Sequence, residues 1–230
     1  MKEKRKTEID LAEKLNILRA GVLGANDGIV SVAGVVVGVA SATDNIMTIL
    51  LAGVSAILAG AFSMAGGEYV SVSTQKDTEI AAIEYQKQRL HKHFQEEIRE
   101  TAKFYEHQGI NHKTAEKVAQ ELMEKHPLQT TVHQKYNLYL GEYTNPWHAT
   151  FSSLVSFILG SLLPILTIVL FPESLRILVT GISVTVVLFI TGFVSASLGS
   201  APRKPAVIRN MIVGWLTMTA TYVIGHLFNI

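Results

Sequence analysis

Two neighbouring side chains in the first third of this sequence carry chemistry that their surroundings do not. Asn26 and Asp27 lie within GANDGIVSVAGVVVGVAS (24–41), a run that is otherwise apolar or small at almost every position. The nearest basic residue is Arg19, two helical turns earlier. A carboxylate at membrane depth is costly, and where one is kept it usually marks an ion path. A second group lies in AGAFSMAGGEYVSVSTQ (59–75), where Gly60, Met64, Gly67, Glu68 and Ser71 recur every three or four residues and so share one helical face. Met64 offers a soft thioether and Glu68 a hard carboxylate one turn away, a pair suited to the transit of a borderline divalent ion such as Fe²⁺. A methionine in an apolar helix also serves as plain core filling. A third group is Glu97 and Glu100, an i, i+3 pair able to face one ion, in a region that also holds His91, His93, His107, His112, His126 and His133. Glu/Lys-rich helices of this kind otherwise simply face water.

The elements that must position these groups follow from the charge pattern. Lys, Arg, Asp and Glu crowd residues 2–19 and 76–142 and leave the remainder almost bare. Five stretches are apolar enough and long enough to cross a bilayer as helices: 18–40, 46–72, 149–171, 174–198 and 206–228. The expected fold is all-α: an integral membrane protein with five transmembrane helices and a cytoplasmic three-helix insert between spans 2 and 3. The expected divisions are an amphipathic interfacial segment at 1–17, with Ile9, Ala12 and Leu15 on one side, spans 1 and 2 at 18–73, the insert at 74–148, and spans 3 to 5 at 149–230. An N-terminus inside the cell places every Lys and Arg except Arg176 on the cytoplasmic side, out of 20 in all. The C-terminus then lies outside.

Placed on a wheel at about 100° per residue, Gly21, Gly24, Gly28, Ser31, Gly34 and Gly38 share one face of the first span with Asp27. Gly24–Gly28 and Gly34–Gly38 are two GxxxG spacings, which let helix backbones approach closely. This face reads as a tight helix–helix seam with Asp27 pointing into it. The opposite face, Val22, Val30, Ala33 and Val37, suits lipid or other helices. Asn26 lies about 100° off the seam. In the insert, Phe94, Ile98, Ala102 and Tyr105 form the expected inner face of a helix ended by Gly109. Asn111 caps the next helix, which Pro127 ends, and 128–145 is expected to be irregular. A weak internal repeat pairs LAGAFSMAGGE (58–68) with ITGFVSASLGS (190–200).

Several classes are excluded. The chain has no cysteine, so disulfides, thiolate metal sites and thiol catalysis are absent. None of the eight histidines has a glutamate three residues before it, which removes the Glu-x-x-His motif of di-iron carboxylate sites. There is no P-loop to drive a pump with ATP. A net charge of +1 gives no footprint for nucleic acid. Neither an enzyme nor a permanently bound cofactor is expected.

Taken together, LRAGVLGANDGIVSVAGVVVGVA, then AGAFSMAGGEYVSVSTQKDTEIA, a helical insert and three further spans resemble the vacuolar iron transporter family, in a bacterial-type member, over essentially the whole chain from Leu18. The resemblance implies a five-span homodimer in the plasma membrane that exports Fe²⁺, or Mn²⁺, from the cytoplasm in exchange for protons. It implies an ion path between the first spans of the two copies, with the membrane carboxylate at Asp27 and the path methionine at Met64. It also implies a cytoplasmic metal-binding insert, in which Glu97 and Glu100 match two ligand glutamates. The sequence departs from the family there: Gln86 and Arg89 stand at two further ligand positions, and His133, Gln134 and Asn137 replace methionines and a glutamate. Transport of Zn²⁺, Co²⁺ or Ni²⁺, favoured by the histidines, and a non-transporting membrane sensor or scaffold are the alternative readings.

Overall fold

With no water in the hydrocarbon to meet an open N–H or C=O, an apolar chain must close its own backbone hydrogen bonds. The five apolar stretches do so as helices. The computed structural model describes residues 2–141, 145–199 and 201–228, with side chains from Lys14 onward. The elements among them are α1 (Lys2–Ala42), α2 (Ile46–His107), α3 (His112–Lys125), α4 (Pro127–Tyr136), α5 (Pro146–Leu170), α6 (Glu173–Leu198) and α7 (Arg203–Leu227). Five of them, α1, α2, α5, α6 and α7, are long and apolar enough to cross a membrane. The protein is an all-α integral membrane protein. The interfacial face expected on Ile9 and Ala12 falls outside the described side chains, as does Ser200, the last residue of the expected repeat.

The chain divides into two compact units, Met1–Val70 with Pro146–Ile230, and Ser71–Asn145. In the first, α1 is the hub. Half of its apolar window is buried, against a third or less for the other four spans. Val30 and Ala33, on the face read as suited to lipid or other helices, are buried with Ile29 against Val184 and Leu188 of α6 and Met218 of α7. Val32, Val36 and Ala40 pack with Ile49, Ala61, Phe157 and Ile168 of α2 and α5.

The glycine face corrects the expected seam between copies. A Cβ at Gly24 would lie 2.6 Å from the Ser153 carbonyl oxygen, and one at Gly28 would run into the Phe157 carbonyl. At Gly34 and Gly38 the obstacles are Thr217 Cγ2 at 2.9 Å and Thr221 at 3.1 Å. These four glycines are therefore occupied by α5 and α7 of the same chain, and Ser31, at an exposed position, is the member of the set left outside that packing. Small residues answer from the other side: Gly160 of α5 meets the Ala25 carbonyl, and Gly225 of α7 meets that of Gly38. Of the glycines matched in the internal repeat, Gly60 approaches the Phe157 ring and Gly192 the Val207 backbone, whereas a Cβ at Gly67 would meet nothing within 4 Å.

In the second unit, Gly109 takes the positive φ of 89° that turns the chain after α2. Asn111 caps α3 by accepting from the Thr114 N–H at 3.0 Å. Ala115, Ala119 and Met123 form the inner face of α3. Two expectations change. Pro127 opens a helix instead of ending one, because its missing N–H costs nothing in a first turn. The stretch read as irregular is then helical as far as Tyr136, closed by Asn137 in the left-handed region. The backbone of α2 is non-helical at His93, and beyond it Phe94 is exposed while Glu97, Thr101 and Ala102 are buried. The inner face is thus turned from the one read by apolar residues, because it is partly polar.

Candidate functional site in the membrane unit

Two contacts fix how α1 and α2 lie against each other. A Cβ on Gly53 would lie 2.9 Å from Val36 Cγ1, and Arg19 Nη2 lies 3.5 Å from Glu68 Oε1. In this antiparallel register Met64 stands level with Gly24, and Asp27 level with Ala61. At 1.5 Å per residue, Met64 is about 6 Å and the Asp27 level about 10 Å beyond Glu68 along the helix axis. On this register Glu68, Met64 and Asp27 fall at successive levels along the helix axis.

The Glu68 level lies beside an aromatic pair. Tyr69 follows Glu68 and packs on Trp147 with ring centroids 4.9 Å apart, the kind of pair found at membrane–water boundaries. Glu68 is mostly buried, with Arg19 as its cationic partner. Sequence reading noted Arg19 only as the base nearest to Asp27. Its actual partner is the carboxylate brought level with it by the α1–α2 packing. Met64 is half-buried against the apolar cluster of Val32, Phe157 and Ile168. The Asp27 carboxylate is half-buried and accepts a 2.6 Å hydrogen bond from Ser31 Oγ. Among the described residues no cation pairs with it. The role of Ser31, read as a seam residue, is legible from the i, i+4 spacing that puts its hydroxyl over the carboxylate. Asn26 turns the other way: its Oδ1 faces the Thr191 hydroxyl of α6 at 3.5 Å. It borders a cavity of about 330 Å³ with Arg19, Ser195 and Asn210.

The family model described as the VIT family matches residues 18–226. The chain belongs to the VIT family. Members of this family are transporters and not enzymes. A protein named vacuolar iron transporter from Acanthamoeba castellanii (strain ATCC 30010 / Neff) is 36% identical over 212 residues, covering 91% of this chain and 78% of that one. Vacuolar iron transporter homolog 2.1 of Arabidopsis thaliana is 31% identical over 218 residues, 94% of this chain and 84% of that protein. VIT-like transporter 1b of Glycine max is 30% identical over 217 residues, covering 94% and 78%.

In this VIT-family chain the insert residues that were candidate metal ligands are engaged otherwise. Glu97 is fully buried and carries Arg89 Nε at 2.9 Å and Lys135 Nζ at 2.7 Å, with the Gln86 amide donating to the same carboxylate. Glu100 carries Lys135 Nζ at 2.6 Å and Arg89 Nη2 at 3.4 Å. Glu97 and Glu100, the expected metal ligands, are thus paired with Lys135 and Arg89. In sequence Lys135 is inconspicuous, because it stands among the aligned ligand positions His133, Gln134 and Asn137. Its signal was a lysine one helical turn from Thr131 and Val132, residues that lie on the inner side of α4. His133 bonds Tyr139 and Asn137 ends α4. No group of three or more His, Asp or Glu converges on one point among the described residues.

Proposed function

We propose that the chain is a secondary transporter that carries Fe²⁺, or Mn²⁺, out of the cytoplasm in exchange for protons. The observation that supports this reading is Asp27: a half-buried carboxylate on a membrane span, held by one hydroxyl and, among the described residues, by no cation. An ion shedding water in the membrane needs charge to meet it, and a divalent cation and a proton compete for the same two oxygens. That competition is the coupling an exchanger requires. Glu68 would receive the ion at the boundary, displacing Arg19, and Met64 would hand it inward through a donor that suits borderline metals better than Mg²⁺ or Ca²⁺. The printed names of the relatives support iron as the cargo. Iron and protons are the transported species, and no resident cofactor is part of the reading.

The working unit is a homodimer. Its seam lies on the strip that packing within the chain leaves open, with Leu23, Asp27 and Ser31 on α1 and Leu58 and Phe62 on α2. Two copies of Asp27 across such a seam could meet one ion together. The membrane is the plasma membrane of a bacterium, with the N-terminus and insert inside, as the Lys/Arg bias supports.

The test is Asp27→Asn, which keeps shape and removes charge. In proteoliposomes with an internal pH dye, the variant should lose metal-driven proton movement while remaining folded and dimeric by size-exclusion chromatography. Normal coupled flux from folded, dimeric Asp27→Asn protein would sink the mechanism.

A further inference from the structure

The family resemblance implies metal bound in the insert, and the side chains at Glu97 and Glu100 do not fit that role in this chain. We propose that Lys135, assisted by Arg89, is the permanent counter-cation of this carboxylate pair, so that the insert is clasped by its own charges and takes no metal ion there.

The geometry is that of an occupied site. Lys135 Nζ lies 2.8 and 2.7 Å from the two oxygens of Glu97 and 2.6 Å from Glu100 Oε2. It stands between the carboxylates, where an ion shared by both would have to sit. Arg89 closes the other side through Nε to Glu97 and Nη2 to Glu100. Glu97 and Glu100 face the two cations Lys135 and Arg89, and the exposed Glu96 adds a third carboxylate 3.7 Å from Arg89 Nη2 at the rim. A divalent ion entering it would have to evict the ammonium from a carboxylate that is fully buried. The evicted cation, and Arg89 beside it, would then repel the newcomer at close range in a part-buried site. The amide oxygens Gln86 Oε1 and Gln134 Oε1 are buried with no hydrogen-bond partner. They are neutral and cannot offset that repulsion, but they are oxygen donors ready to be used if the cations were removed.

The clasp also joins three pieces of chain. Gln86 and Arg89 lie before the non-helical residue His93 of α2, Glu97 and Glu100 lie after it, and Lys135 comes from α4. Ion pairs thus fasten the arms on either side of the break and dock α4 on them. The arrangement of the insert is set by residues that are always present, so it does not follow the supply of metal. This inference concerns binding in the insert and stands or falls separately from the transport reading.

The test uses the full-length protein in detergent, stripped with EDTA and titrated with Mn²⁺, with free ion counted by electron paramagnetic resonance. The wild type and Glu97→Gln/Glu100→Gln should bind the same number of Mn²⁺ with the same affinity. Limited proteolysis of the wild-type insert should proceed at the same rate with and without Mn²⁺. The double variant Arg89→Ala/Lys135→Ala should gain one Mn²⁺ per chain, and adding Glu97→Gln should remove it. Protection of the wild-type insert by Mn²⁺, or a wild-type ion lost with the two glutamates, would overturn the proposal. So would a folded double variant that gains no ion. If the double variant does not fold, the wild-type proteolysis decides alone.

Discussion

Gly28→Ala separates packing within the chain from packing between copies. The added methyl would run into the Phe157 carbonyl and lie 2.8 Å from Ser161 Oγ and 3.0 Å from the Phe157 carbonyl carbon. A hydroxyl can rotate away, but a helix carbonyl cannot, so α1 and α5 must part along their most intimate stretch. Overpacking of this kind costs about 1–3 kcal/mol. Replacing a helical glycine by alanine returns about 0.8–1 kcal/mol. The net effect is a loss of up to about 2 kcal/mol, or up to about 8 °C in Tm for a chain of this length. Gly181→Ala is the matched control, since a Cβ there meets nothing within 4 Å. It keeps only the helix-propensity gain and should raise Tm by a few degrees. The assay is thermal denaturation in detergent, with dimer content followed by size-exclusion chromatography. The opposite signs of the two shifts are the result to look for. A Gly28→Ala protein with unchanged Tm and lost self-association would refute the reasoning and return the glycine face to a seam between copies.

The clasp in the insert sets a pH window. The Lys135 hydrogen bond, helped by the charges of Lys135 and Arg89, holds the Glu100 carboxyl below its ordinary 4.5. Burial pulls the Lys135 amine down, but its hydrogen bonds to Glu100 and Glu97 outweigh this and hold it above its ordinary 10.5. A lowered carboxyl contributes stability above its unfolded value and a raised amine below its own. Hydrogen exchange of α4 should therefore be slowest between about pH 4.5 and 10.5 after correction for intrinsic rates. It should quicken as acid protonates Glu100 or base neutralises Lys135, and a flat profile through acid would count against the ion pairs. Asn111→Ala removes the α3 cap and should lower insert stability by about 1 kcal/mol, read as faster exchange in the first turn of α3 alone. For orientation, Asp44→Cys should label with a membrane-impermeant maleimide from outside intact cells and Lys113→Cys should not. The reverse pattern would invert the direction of transport.

Hydropathy and charge made the spans legible because a membrane leaves the backbone one economical answer, and the five helices follow the apolar runs closely. The candidate carboxylates are legible for the same reason: Asp27 and Glu68 are conspicuous where charge is expensive. What faced what was less legible. A GxxxG face states that some backbone comes close, not whose, and here α5 and α7 of the same chain claim it. Arg19 could not be joined to Glu68 without the α1–α2 register. In the insert, the period of apolar residues chose Phe94 as inward, whereas ion pairs allow Glu97 to occupy that side. Pro127 signals a stop in sequence because a proline ends the helix before it, while the same proline can begin the next.

The central position of α1 also governs how the protein is made. The first span synthesised is the one whose neighbours are drawn mostly from the last three. From Ala42 at its end to Pro146 at the start of α5 lie about 100 residues, which a ribosome takes roughly 5–20 s to add. Through that interval the glycine face of α1 is without the helices it is shaped for, and Asp27 is held in the bilayer by Ser31 and whatever α2 supplies. The nascent chain passes through a two-span stage whose most intimate contacts do not yet exist. A chain released at that stage carries every proposed path residue and lacks α5 and α7, the helices that hold the main one in place. Its half-built bundle offers membrane quality control an exposed carboxylate and a bare strip of backbone.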